Sequence, residues 1–75
     1  MSWTAVESGA LAALRYDVTA QRLHIRFTDG HTYEYHGVPA AVYVSLLLAE
    51  SKGGYFNVCI RGKFPHRAVE RDPRR

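Results

Sequence analysis

The sequence predicts an α+β domain in which a three-stranded antiparallel meander packs on one helix, with a C-terminal short helix or strand. Two observations lead to this prediction: apolar and polar residues alternate between positions 11 and 36, and apolar residues recur at helical spacing between positions 40 and 50. The 75 residues, 47% of them hydrophobic, suit one small globular domain. We expect that domain over residues 1–65 and a basic, flexible tail over residues 66–75.

The first two strands are predicted from alternation of side chains. LAALRYDV, residues 11–18, places three apolar side chains on one face. They are Leu14, Tyr16 and Val18. QRLHIRFT, residues 21–28, alternates more clearly, with apolar side chains at Leu23, Ile25 and Phe27. This alternation is typical of a sheet with one face packed and the other in water.

The third strand, HTYEYH at residues 31–36, can pair with the second in two registers. If residues 29–30 form a two-residue loop, Tyr33 and Tyr35 face solvent. Glu34 then lies under the sheet, where an unpaired carboxylate costs on the order of several kcal/mol or takes up a proton. This register is therefore disfavoured.

The second register has a three-residue loop over residues 28–30, with Gly30 in the left-handed conformation. Apolar residues then face each other: Ile25 with Tyr33, and Leu23 with Tyr35. We expect both tyrosines to lie against the core, and Glu34 to be solvated on the outer face, where its replacement costs little stability. The remaining outer-face pairs are Arg26 with Thr32, His24 with Glu34, and Arg22 with His36.

Pro39 is predicted to be the first residue of a helix, because proline suits the first helical position. The apolar stripe that faces the sheet consists of Val42, Tyr43, Leu46, Leu47 and Ala49. Val44 and Leu48 lie outside this stripe and contact either the C-terminal segment or a second subunit, with the first favoured. Residues 52–54, Lys-Gly-Gly, are predicted to end the helix.

YFNVCIRG, residues 55–62, fits either a strand or a short helix. Phe56, Val58 and Ile60 alternate as in a strand, whereas Phe56, Cys59 and Ile60 share one side of a helix, so both alternatives stay open. Cys59 is the single cysteine, which excludes an internal disulfide and fits a reducing compartment. Its apolar neighbours favour a buried side chain over a reactive thiol.

The net charge of +3 is concentrated at the C-terminal end. Residues 1–60 contain four basic and five acidic side chains, whereas residues 61–75 contain six basic and two acidic ones. A basic end of this kind is either a solvated terminus or an arm that contacts phosphates. The candidate nucleic-acid-binding residues are Arg22, Arg26, Arg61, Lys63, Arg67 and Arg71.

The sequence has no HExxH, nucleophile elbow, CxxC pair or phosphate-loop spacing, which are motifs for catalysis and for metal or cofactor binding. His24 and His36 share the outer face, but each has a polar partner opposite, so we interpret them as solvated cross-strand partners and not metal ligands. We therefore expect a non-enzymatic protein with no cofactor, no metal and no small-molecule substrate.

Six segments resemble the KTSC domain, a small module found at the C-terminus of some lysyl-tRNA synthetases and in stand-alone bacterial proteins. They are RYD (15–17), LHIRF (23–27), YEY (33–35), GVP (37–39), VYVSLLLAESKG (42–53) and YFNVCIRGKF (55–64). The resemblance covers about residues 6–65, and the family's central tyrosine pair corresponds to Tyr33 and Tyr35. It implies a stand-alone bacterial member with an RNA-binding role, and it supplies no established binding residues.

Two function classes follow from these features. The first is an RNA-binding module, for tRNA or single-stranded RNA, that uses the outer-face arginines and the basic C-terminal end. The alternative is a protein-interaction module or small homodimer that uses Val44 and Leu48. No apolar run approaches the roughly 18 residues of a membrane span, and the N-terminus lacks signal-peptide features. We therefore expect a cytoplasmic protein without membrane contact.

Overall fold

The structure is a computed structural model, and it describes residues 3–69. A five-stranded antiparallel sheet has its strands side by side in chain order. The strands are β1 (Thr4–Ala5), β2 (Leu11–Asp17), β3 (Arg22–Phe27), β4 (Thr32–His36) and β5 (His66–Val69). Between β4 and β5 lie α1 (Ala40–Leu48), α2 (Lys52–Tyr55) and a π-helical segment (Phe56–Ile60). The α+β class is confirmed.

The predicted number of three strands is wrong, because β1 and β5 extend the meander at its two sides. β1 has two residues, which is too few for alternation to be detected. β5 has the sequence HRAV, in which two polar residues precede two small apolar ones. It falls within the segment predicted as a tail, and its pairing with β4 orders residues 66–69. Residues 70–75, including Arg71, lie outside the described residues.

The hairpin between β3 and β4 has the predicted register. Gly30 has a φ of 94°, and the amide of Phe27 donates to the carbonyl of His31 at 2.8 Å. Ile25 lies opposite Tyr33, and Leu23 lies opposite Tyr35. Both tyrosines are therefore on the core side, where Tyr35 is 4% exposed and Tyr33 is half-buried.

The core lies between one face of the sheet and the helices, and within residues 3–69 four of its nine buried residues come from β2 and β3. Its buried members are Leu11, Leu14, Leu23, Ile25, Tyr35, Val38, Leu46, Phe56 and Ile60. Helix α1 begins at Ala40, one residue later than predicted, and Pro39 precedes it as an N-cap with extended backbone. No helix in the described part of the chain is long and apolar enough to cross a membrane.

The segment whose type was left open is helical. Ser51 begins α2, because its hydroxyl accepts a hydrogen bond from the amide of Gly54 at 3.1 Å. Residues 52–54, which were predicted to end α1, therefore lie inside a second helix. This helix widens into the π-helical segment, whose last turn is closed by the amide of Arg61 donating to the carbonyl of Phe56 at 2.8 Å.

Candidate functional site

The outer face of the sheet, which is the side turned away from the helices, brings four arginines together. Side chains alternate along each strand, so every second residue points to this face. One cross-strand row consists of Arg15, His24, Glu34 and Arg67. Arg22 and Arg26 flank His24 on β3. Arg15 was not among the predicted binding residues, although its alternation with apolar residues in β2 indicates that it faces outwards.

Glu34 lies at the centre of an ion-pair cluster on the outer face. The Nε atom of Arg67 donates to Oε1 of Glu34 at 2.8 Å, and the Nε2 atom of His36 lies 3.1 Å from the same oxygen. Oε2 lies 3.1 Å from Nε2 of His24 and 3.6 Å from Nη1 of Arg22. These partners leave Glu34 only 5% exposed. The expectation of a solvated Glu34 is therefore wrong.

The cluster also determines the charge of the carboxyl group. The pKa of Glu34 is lowered to about 2, and the largest cause is the hydrogen bond from Arg67. The hydrogen bond from His36 and the charges of Arg67 and His24 act in the same direction, whereas burial opposes them. Since an ionised carboxylate only accepts hydrogen bonds, Nε2 of both histidines carries a hydrogen. Glu34 thus holds two histidines and two arginines in place across β3, β4 and β5.

The cross-strand pairing of His24 with Glu34 and of His36 with Arg22 is confirmed, but His24 is not solvated. The side chain of His24 is mostly buried, and its Nδ1 atom is buried with no hydrogen-bond partner among residues 3–69. His36 is partly exposed. The described residues contain no group of three or more His, Cys, Asp or Glu side chains that could hold a metal ion.

Trp3, which precedes β1, lies against the outer face. The guanidinium carbon of Arg26 is 4.3 Å from the centroid of the indole ring, and that of Arg15 is 5.2 Å away. His24 contacts the same ring edge-on, with centroids 6.3 Å apart. Cation–π contacts of this kind contribute about 0.5–1 kcal/mol each at exposed sites. No sequence pattern marks Trp3 for this role, because it lies outside any alternating segment.

The six predicted nucleic-acid-binding residues do not lie on one surface. Arg22, Arg26 and Arg67 share the outer face. Arg61 and Lys63 lie in the turn after the π-helical segment, and Arg61 borders a groove on the opposite side of the sheet. The sixth residue, Arg71, falls beyond Val69, where the described chain ends.

That groove has a volume of about 540 Å³ and lies between the sheet and the second helix. Tyr33 and Tyr35 of β4 and His66 of β5 form one wall, and Phe56 and Asn57 form the other. It was missed in the sequence analysis, because its walls come from segments that are far apart in the chain and meet only when β5 pairs with β4.

The walls of the groove are aromatic. The rings of Tyr35 and His66 are stacked at 5.2 Å, while Phe56 meets Tyr35 edge-on at 5.6 Å and Tyr33 meets His66 edge-on at 5.8 Å. Burial raises the pKa of Tyr35, and Tyr33 adds to this effect. The charge of Arg61, which also lines the groove, acts in the opposite direction.

The apolar flank of α1, defined as Val44 and Leu48, is exposed. Leu48 has 78% of its surface in contact with solvent, and Val44 is also exposed. The favoured expectation, that the C-terminal segment covers this flank, is therefore wrong for the described residues, because β5 pairs with β4 instead. Cys59 is partly buried and packs against the core.

Comparison with known proteins identifies the family. The KTSC domain matches residues 7–64. This chain belongs to the KTSC domain family. Over 59 residues it is 46% identical to a protein from Tsukamurella paurometabola, with 79% of this chain and 88% of that protein covered. Over 60 residues it is 42% identical to a lysine–tRNA ligase from Nostoc sp., with 80% of this chain but 11% of the ligase covered.

The fold is also that of a solved KTSC domain. The crystal structure of a KTSC domain protein from Yersinia pestis matches with a TM-score of 0.87 and 34% sequence identity, covering 92% of this chain and 97% of the other. In the present KTSC domain, the segments YEY and YFNVCIRGKF, which carry much of the resemblance, supply residues to both walls of the groove. The same YEY segment places Glu34 on the outer face.

Proposed function

We propose that this KTSC domain binds RNA through the outer face of its sheet. The supporting observation is the grouping of Arg15, Arg22, Arg26 and Arg67 on one face, where the opposing carboxylates are those of Glu34 and Asp17. The local excess of positive charge suits a phosphate backbone, whose neutralisation and counterion release drive binding. The bulk charge of residues 1–60 would not predict this attraction, because it is slightly negative.

The arginines are held in place before any ligand arrives. Glu34 fixes Arg67 and Arg22, whose side chains remain 68% and 49% exposed, and Trp3 stacks on Arg26. Side chains that are already ordered lose less conformational freedom on binding. Exposed guanidinium planes can contact phosphates and can also stack on unpaired bases. The arrangement therefore favours single-stranded regions of RNA.

The relationship to a segment of a lysine–tRNA ligase supports RNA over DNA as the partner. A module joined to an enzyme named for tRNA would lie close to RNA. Because membership of a family does not by itself assign a function, replacement of the outer-face arginines tests whether this domain binds RNA.

The double replacement Arg22→Gln with Arg26→Gln is expected to weaken RNA binding at least tenfold at low salt, because it removes two phosphate contacts. The slope of log affinity against log salt should fall by about 1.4 units for single strands. The measurement is a titration of labelled single-stranded, duplex and tRNA-like RNAs at several salt concentrations. Thermal melts confirm that the variant is folded.

The matched control is Lys63→Gln, which removes an exposed cation from the turn after the π-helical segment. It should change the affinity less than twofold. If Lys63→Gln weakens binding as much as the double variant, charge alone is responsible and the outer face is not the site. The proposal is wrong if the parent protein binds no RNA more tightly than about 100 μM at low salt, which is the weak limit of non-specific binding.

A second candidate function is self-association through the apolar flank of α1. Leu48 is 78% exposed, and Val44 lies one turn before it on the same side of the helix. Small domains often gain stability by pairing. We expect a dimer at high micromolar concentration in sedimentation equilibrium, and a monomer for Leu48→Glu. The control is Val18→Glu, at an exposed apolar residue of the turn after β2. A monomeric parent, or a dimer that survives Leu48→Glu, contradicts this candidate.

A further inference from the structure

We propose that the aromatic groove on the helix side of the sheet binds a nucleotide, that is, a flat heteroaromatic ring joined through a sugar to a phosphate. The groove lies on the opposite side of the sheet from the outer face, so this inference does not depend on the RNA-binding proposal above. Neither the groove nor a small-molecule ligand was expected from the sequence.

The size of the groove suits such a ligand. Its volume of about 540 Å³ lies within the range of roughly 300–1,000 Å³ that is usual for small-molecule sites. Gly53 helps to keep it open, because this residue lines the groove without a side chain. A Cβ atom there would lie 3.5 Å from the Cβ atom of Ala10, so a longer side chain would extend into the space.

The walls offer surfaces for a flat ring. Tyr33 is half-buried and His66 is exposed, and both line the groove. Tyr33 is held edge-on by Phe27 at 5.9 Å, so the orientation of its ring is set by packing. Aromatic side chains of this kind stack on nucleobases of any sequence. An aliphatic ligand would gain no such stacking.

Two charged groups line the groove. The guanidinium group of Arg61 donates a hydrogen bond to Oδ1 of Asn57 at a long 3.4 Å, and it has no acidic partner among residues 3–69. The second charged residue is Asp29, in the β3–β4 loop. Asp29 also accepts a hydrogen bond from the amide of His31 at 2.9 Å.

The two charged groups suit the two ends of a nucleotide. Tyr33 and Tyr35 are two residues apart on one strand, which is about 7 Å, and Arg61 and Asp29 line the groove with them. A nucleotide places its phosphate and the hydrogen-bond donors of its base on either side of a sugar. Arg61 would then bind the phosphate, and Asp29 would accept from the base.

The test is a titration of isotopically labelled protein with adenosine and guanosine 5′-monophosphates, followed by amide chemical shifts. We expect saturable shifts at Tyr33, Asn57 and Gly62. Arg61→Gln should weaken binding at least tenfold, whereas Lys63→Gln, two residues away and outside the groove, should change it less than twofold. Both variants replace exposed side chains, and thermal melts check that each is folded.

Further ligands distinguish a free nucleotide from the terminal nucleotide of an RNA chain. Binding by free monophosphates that equals binding by a 5′-phosphorylated dinucleotide assigns the groove to free nucleotides. Tighter, Arg61-dependent binding of the dinucleotide assigns it to the end of an RNA chain. The proposal is overturned if millimolar nucleotide produces no saturable shift in the groove, if phenylalanine or inorganic phosphate alone binds there as tightly, or if the shifts fall only on the outer face.

Discussion

Replacing Tyr35 with alanine is expected to lower the free energy of unfolding by about 3 to 5 kcal/mol, the range for truncation of large core aromatics. Tyr35 is 4% exposed and packs against Phe56 and His66, so the variant leaves a cavity between β4, β5 and the second helix. A domain of this size has a small net free energy of unfolding, so a loss in this range is a large part of it. Urea unfolding followed by circular dichroism measures the loss.

Two variants serve as controls for this result. Tyr35→Phe keeps the ring and should stay within about 1 kcal/mol of the parent, because a volume-conserving change leaves no cavity. Tyr33→Ala should cost less than Tyr35→Ala, since Tyr33 is half-buried and borders the groove. If Tyr33→Ala is the more damaging of the two, the assignment of Tyr35 as the more deeply packed tyrosine is incorrect.

Replacing Glu34 with alanine is expected to cost about 2 to 3 kcal/mol at pH 7, because hydrogen bonds to charged groups contribute about 1.5–3 kcal/mol. The loss should stay below the 3–5 kcal/mol typical of a fully buried pair, since Arg67 and Arg22 can turn towards solvent. Glu50→Ala removes an exposed carboxylate and should change stability by less than about 0.5 kcal/mol. Equal effects of the two variants would contradict a structural role for Glu34.

The same cluster gives stability a defined dependence on pH. The pKa of Glu34 is about 2 in the folded protein, against an ordinary value of 4.5. Its contribution is therefore fully present above about pH 4.5 and is lost as the pH falls towards 2. Unfolding free energies at pH 7 and pH 3 should differ more for the parent than for Glu34→Gln. If both proteins lose the same unfolding free energy between pH 7 and pH 3, groups other than Glu34 cause the loss.

The register of the β3–β4 hairpin could be predicted because one alternative buried a carboxylate beneath the sheet. The same reasoning failed for the outer face, where Glu34 is buried after all. Its strongest partner, Arg67, comes from a strand 33 residues later in the chain, and alternation does not mark that strand. Local patterns determined which way Glu34 points, but they could not show what covers it.

The second helix illustrates a different limit. Residues 55–62 satisfied both periodicities, and two glycines beside them indicated a helix end. In the structure, the hydroxyl of Ser51 caps a new helical turn at those glycines. The N-cap serine therefore starts a helix even though glycine disfavours one. The wider π-helical turn then buries Phe56 and Ile60. The groove depends on this turn and on β5, so it could not be predicted from segments treated singly.

The shortness of the outermost strands bears on how the protein behaves at high concentration. An open sheet edge offers unpaired amide and carbonyl groups to other chains, and long, flat edges promote aggregation. Here β1 contributes two residues and β5 four, and β5 carries the charged Arg67 near its centre. Within residues 3–69, each edge therefore presents a short template for strand addition, which limits pairing between the sheets of different chains.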